Sequence, residues 1–131
     1  MSEVSIAPVD ERDSRWESDR PRFRVYLHGS TASSTGGWTA TYDVTGADVL
    51  QVVDWAQTQA GDSHTFAVAL VCDDRAQGGR GLVWLVGRDG NDHDPEDHLL
   101  LEAQQRMLKR RSAPLVVPEA DKIPAGVQPP R

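Results

Sequence analysis

The chain has one cysteine, Cys72, in 131 residues, so no disulfide forms within it and a four-cysteine zinc site is excluded. Lysine occurs only at Lys109 and Lys122, and a basic total of 14 is outweighed by 20 acidic residues. The resulting net charge of −6 favours solubility and opposes broad attraction to nucleic acid or an anionic membrane. No apolar run approaches the roughly 20 residues that a membrane span needs, and no membrane association is expected. Hydrophobic residues make up 38%, and the shortfall sits mainly at the two ends. The opening residues MSEVSIAPVDERDSRWESDRP lack both a basic stretch and an apolar core. A secretory signal is not expected, and the cytoplasm is the expected compartment.

What is present divides into three regions. Residues 1–20 are polar and acid-rich, with Trp16 as the one large apolar group, and bury too little surface to offset their ordering entropy. They are expected to form a flexible N-terminal tail. Residues 112–131, SAPLVVPEADKIPAGVQPPR, hold five of the eight prolines and are expected to form an extended, flexible tail. Leu115-Val116-Val117 within it has the makings of a short linear motif. Residues 21–111 between them are expected to form a single domain.

Two alternating segments open this domain. In residues 22–28, Phe23, Val25 and Leu27 face one way, and Arg22, Arg24, Tyr26 and His28 the other. In residues 38–44, Trp38, Ala40, Tyr42 and Val44 oppose Thr39, Thr41 and Asp43. The intervening GSTASSTGG reads as a hairpin loop; it lacks the lysine of a phosphate-binding loop and does not lead from strand to helix. Val49, Val52, Val53, Ala56 and Ala60 then share a helical face over residues 47–60, with Thr45 and Asp48 as a capping pair and Gly61 as terminator. Two strands follow, 65–72 and 81–87, each apolar on both faces, with Leu82, Trp84 and Val86 opposing Val83 and Leu85. Such strands sit centrally or are covered twice.

The expected fold class is therefore α+β, a ββαββ sheet with one crossing helix plus a C-terminal helix. This order of elements resembles the β-grasp fold, which implies parallel pairing of the first and last strands at the sheet centre. A plain antiparallel meander is the alternative. The segments YDVTGADVLQVVDWA and GLVWLVG also resemble small actinobacterial-type proteins of unknown function. Neither resemblance implies an activity.

The most chemical stretch is DGNDHDPEDH, residues 89–98, with four Asp, one Glu and two His. As a calcium loop begun at Asp89 it fails where glycine and the last glutamate are required. His93 and His98 are the candidate metal ligands, but five-residue spacing does not bring two ligands to one helical face. As a helix start every residue from 94 to 98 has a purpose: Asp94 caps, Pro95 opens the first turn, and Glu96 and Asp97 meet the positive end. The helix runs from about 95 to 111 and closes on Lys109, Arg110 and Arg111. Its Leu100, Ala103 and Met107 stripe requires a partner. That partner is the sheet face left open by helix 47–60, the sheet edge, or a second subunit.

No acid, base and nucleophile come together in a recognisable pattern, no cofactor is implied, and catalysis is not expected. The expected function is a non-catalytic module that binds another protein or itself. Trp55, Arg24, Tyr26, His28, Leu100 and Met107 are its candidate contact residues. The alternatives are a small-ligand or metal binder at 89–98, and a weak nucleic-acid binder using Arg22, Arg24 and residues 109–111.

Overall fold

The computed structural model describes residues 4–30, 37–61, 64–74, 78–87, 102, 105–107 and 109–124. Four strands, β1 (Phe23–Ser30), β2 (Gly37–Val44), β3 (Thr65–Asp74) and β4 (Gly79–Val86), form one sheet, and helix α1 (Val49–Ala60) stands between β2 and β3 in the chain. The fold is α+β with the ββαββ order read from the pattern. The sheet order is β2-β1-β3-β4, with every neighbouring pair antiparallel. This pairing is not that of the β-grasp fold, because β1 and β4 do not meet. Nor is it a simple meander: α1 carries the chain from edge strand β2 past β1 to β3. β2 and β3 run in the same direction on either side of β1, and such strands need a long crossover.

α1 begins at Asp48, whose carboxylate accepts from the Gln51 amide while Gln51 returns a side-chain contact to the Asp48 amide, both at 2.9 Å. The capping box is thus Asp48/Gln51, three residues later than the expected Thr45/Asp48 pair. Asp48, expected as the reciprocal acceptor, is itself the N-cap, and Gln51 supplies the reciprocal acceptor. Gly61 ends the helix at φ 57°, a region few other residues enter without strain. Val52, Ala56 and Ala60 are buried against Phe23, Val25, Leu27, Phe66 and Val68, and this is the main core. Fully buried valines such as Val25, Val52 and Val68 each contribute about 1.5–3 kcal/mol of burial free energy.

β4 departs from simple alternation. Val86 pairs with Val68, yet Trp84 pairs with the next residue, Ala69, so Leu85 is an extra residue without a partner in β3. Such a bulge reverses the phase of the strand. Val86 therefore joins the α1 side with Val68, while Leu82 and Trp84 lie on the opposite face with Val71 and Ala69. The expected grouping of Leu82, Trp84 and Val86 on one face is corrected accordingly.

The second face is closed largely by its own side chains. Tyr26 on β1 and Trp84 on β4 are two strand spacings apart, about 10 Å, yet their ring centroids are 5.1 Å apart. Both rings therefore lean across β3, where their register neighbours are Ala67 and Ala69, both 0% exposed. Small residues on the central strand make room for large ones on its neighbours.

Residues 102, 105–107, 109 and 110 are helical. Met107 is buried in the main core, and its sulfur accepts from the Phe66 amide at 3.4 Å. The described helical residues around Met107 thus pack on the α1 side of the sheet, not on its open face. Gly87 permits this approach. Its φ is 70°, and a Cβ there would meet the Phe66 carbonyl at 3.0 Å and the Met107 methyl at 3.2 Å. Residues 113–124 are irregular apart from a 3-10 turn at Glu119–Asp121, but they are not free: Val117 is buried, and the segment is tied to α1 as described below. Their prolines oppose a longer helix, yet packing supplies what an isolated tail lacks. Residues 4–20 are exposed throughout, Trp16 by 80%.

Gly87→Ala is expected to destabilise the protein by about 1–3 kcal/mol through backbone strain and the clash with Met107. Gly81→Ala, within β4 and with open space around it, is expected to change stability by under about 0.5 kcal/mol. Urea unfolding of the two variants beside the parent checks the contrast.

Candidate functional site

Two regions carry side-chain arrangements beyond what the core needs. The first is the second sheet face with the β4 edge. Arg24 lies directly opposite Asp43 in the β1–β2 register, and its Nε donates to Oδ1 at 2.7 Å. Arg22 Nε donates to Oδ2 of the same carboxylate at 2.8 Å. Two guanidinium groups therefore share one acid on the edge strand. The Arg24 hydrogen bonds, with Arg22 assisting, hold the Asp43 carboxyl down to about 2, and Asp43 in turn raises the Arg24 guanidinium. Beside this cluster Tyr26 stacks near His28, with centroids 6.3 Å apart and planes 16° apart, and meets Trp84 on its other side.

The two edges of the sheet differ. β2 presents Asp43, and an edge charge discourages further strand pairing. β4 has Leu82, Val83, Trp84, Leu85 and Val86 in succession, with Val83 51% and Leu85 43% exposed. Arg80 is its nearest described charge, and it is paired with Asp73 at 2.9 Å.

The second region is a polar row on α1. Gln51, Asp54 and Gln57 recur every three residues and share a helical flank. Gln57 grips the main chain of Leu115 in both senses: its Nε2 donates to the carbonyl at 2.8 Å, and its Oε1 accepts from the amide at 3.0 Å. Gln51 Nε2 donates to the Asp121 carbonyl at 2.6 Å. Lys122 Nζ lies 3.1 Å from Asp54 Oδ1, and Asp54 is only 6% exposed. Leu115 meets the C-terminal part of α1 and Asp121 its first turn, so the segment runs antiparallel to the helix. Between the two, near Phe66, Val86 and Met107, lies a cavity of about 720 Å³.

Not every candidate contact residue serves as a surface. Trp55 is half-buried and meets Tyr42 edge to face, with centroids 5.7 Å apart, so it packs over β2. Met107 is core. Arg24, Tyr26 and His28 are brought together on the second face, and Trp84, which was not singled out, completes the group. The α1 row was also missed, and the signal available was glutamine, aspartate and glutamine at fixed spacing beside the apolar stripe. Arg22 and Arg24 share Asp43 at the β1–β2 side, whereas residues 109–111 lie at the end of the helical stretch that packs on the α1 side, so they do not form one basic surface. Leu100, His93 and His98 lie outside the described residues. Among the described residues no three His, Cys, Asp or Glu side chains converge on a metal position, and Cys72 is half-buried on β3. No helix among them is long and apolar enough to cross a membrane.

The chain matches no family model, no curated protein and no solved structure.

Two measurements follow from these contacts. A carboxylate held below its ordinary value of 3.8 stabilises the fold fully above that value. The contribution is lost as pH falls from about 4 through about 2. Asp43→Asn is expected to cost about 1 kcal/mol near neutral pH and to flatten that part of the stability profile, read by thermal unfolding across pH. Lys122→Met leaves the buried Asp54 carboxylate unpaired and is expected to cost about 1–3 kcal/mol. Limited proteolysis of that variant should cut faster within residues 113–121 and leave the sheet intact.

Proposed function

We propose that the protein is a non-catalytic interaction module that associates with a second copy of itself through the β4 edge. The observation that carries this reading is the exposure of Val83 and Leu85 on an edge strand uncharged from residue 81 to 87. An edge strand offers unpaired amides and carbonyls, and added strands use them. β4 is also complementary to itself. A two-fold axis at Val83 sets two antiparallel β4 strands so that Val83 faces its own copy and Leu82 faces Trp84. No like charges meet in that register, and apolar groups oppose one another along its length. The bulge at Leu85 limits the pairing to a short strand, which suits a reversible contact rather than an open-ended fibre. The neighbouring Tyr26 and Trp84 add aromatic surface of the sort that dominates contact energies.

Size-exclusion chromatography with light scattering should give a mass that rises from one chain to two with protein concentration. Val83→Lys should return it to one chain at every concentration while changing stability by under about 0.5 kcal/mol, since the side chain is already half-exposed. A one-chain mass at all concentrations in the parent protein overturns the reading. So does a dimer indifferent to Val83→Lys and Leu85→Lys together.

A further inference from the structure

The cavity beside α1 has a chemistry of its own, separate from the β4 edge. Its floor is apolar, formed by Val53, Ala60, Phe66, Val86 and Met107, and residues 113–116 supply one wall. Its volume of about 720 Å³ falls among small-molecule sites, which run from about 300 to 1,000 Å³. Its rim is basic. Lys122 is committed to Asp54, the one acidic group among the described lining residues. Arg111 donates one Nη2 bond to the His64 carbonyl at 2.6 Å and pairs with no carboxylate among the described residues. Arg110 is exposed and pairs with no acid among the described residues. Two guanidinium groups with no carboxylate partner among the described residues thus border an apolar hollow on a chain whose net charge is −6.

The geometry points to a binding site for a small amphipathic anion, with a hydrocarbon or aromatic body and one carboxylate or phosphate head. The body covers Phe66, Val86 and Met107, whose burial supplies affinity without direction. The head meets Arg110 and Arg111, whose planar forks fit a two-oxygen anion and give charge-assisted hydrogen bonds. A neutral molecule of the same shape leaves those forks in water, and a cation is repelled by them. Lys122 is held by Asp54 and keeps that end of the cavity electrically neutral, so the head is directed to the arginine end. The wall at 113–116 hangs from Gln57 by the paired bonds to Leu115, and the site is complete only while that segment is docked.

Isothermal titration calorimetry of the full chain against decanoate, decyl phosphate, decanol and decyltrimethylammonium, each below its micelle concentration, tests the assignment. One molecule of decanoate or decyl phosphate per chain is expected to bind at least about ten-fold more tightly than decanol, the scale of a charge-assisted hydrogen bond. The tighter of the two anions identifies the head group. Arg110→Glu should weaken anion binding by at least about ten-fold and leave decanol binding and the urea midpoint unchanged, and Arg110→Lys should restore part of the loss. Equal binding of decanol, preference for the cation, absence of heat from all four, or anion binding unaffected by Arg110→Glu each overturns the proposal. None of these outcomes bears on self-association, which is read in the Val83→Lys variant.

Discussion

The extra residue in β4 is the constraint on which the rest of the structure depends. Without the bulge at Leu85, Trp84 and Val86 would point the same way, and one face of the sheet would lose its partner. With it, Trp84 leans over Ala69 to meet Tyr26, and Val86 turns to the side occupied by α1. The same phase change delivers Gly87 next to Met107, where the absence of a side chain admits the C-terminal helix. Both layers are thus set by one irregularity: helices on one side, and a lid of two aromatic rings on the other.

This arrangement explains how a short chain covers a sheet whose inner strand β3 is apolar on both faces. Ala67 and Ala69 are fully buried, yet among the described residues no helix lies over them. Tyr26, Trp84 and the Arg24 stem do the covering, and the Arg24–Asp43 pair keeps the end of that layer polar. On the other side α1 recruits the proline-rich segment with amide and carboxylate side chains rather than with apolar ones. Main-chain groups that proline denies to a helix or a sheet are satisfied by Gln51 and Gln57 instead.

Much of this was legible in the residues. The alternation of Phe23, Val25 and Leu27 with Arg24, Tyr26 and His28 marks a two-faced strand, and the Val52, Ala56 and Ala60 stripe marks a helix facing it. The two-sided apolar character of residues 65–72 announced double coverage but not by what. Strand pairing was not legible, because hairpin and crossover lengths do not say to which strand α1 returns. The bulge was hidden because LVWLV has no glycine to advertise it, and only the partner strand reveals which residue is extra. The C-terminal segment misled for a related reason. Composition measures what a stretch buries by itself, whereas Val117 is buried by residues more distant in the chain. Positions of single side chains fared similarly: alternation put Tyr26 and His28 on one face, Trp84 was read into the wrong company, and Met107 had a core partner in Phe66 that no local pattern shows.

A site built from a strand edge is reached through the main chain, so the main chain is where it should be observed. Amide hydrogen exchange resolved along β4, recorded over a range of protein concentrations, is the most direct measurement. The account predicts that amides within residues 80–86 facing away from β3 gain protection as concentration rises, while those of the charged β2 edge do not. Protection along β4 that is independent of concentration, or that grows along β2 instead, would contradict it.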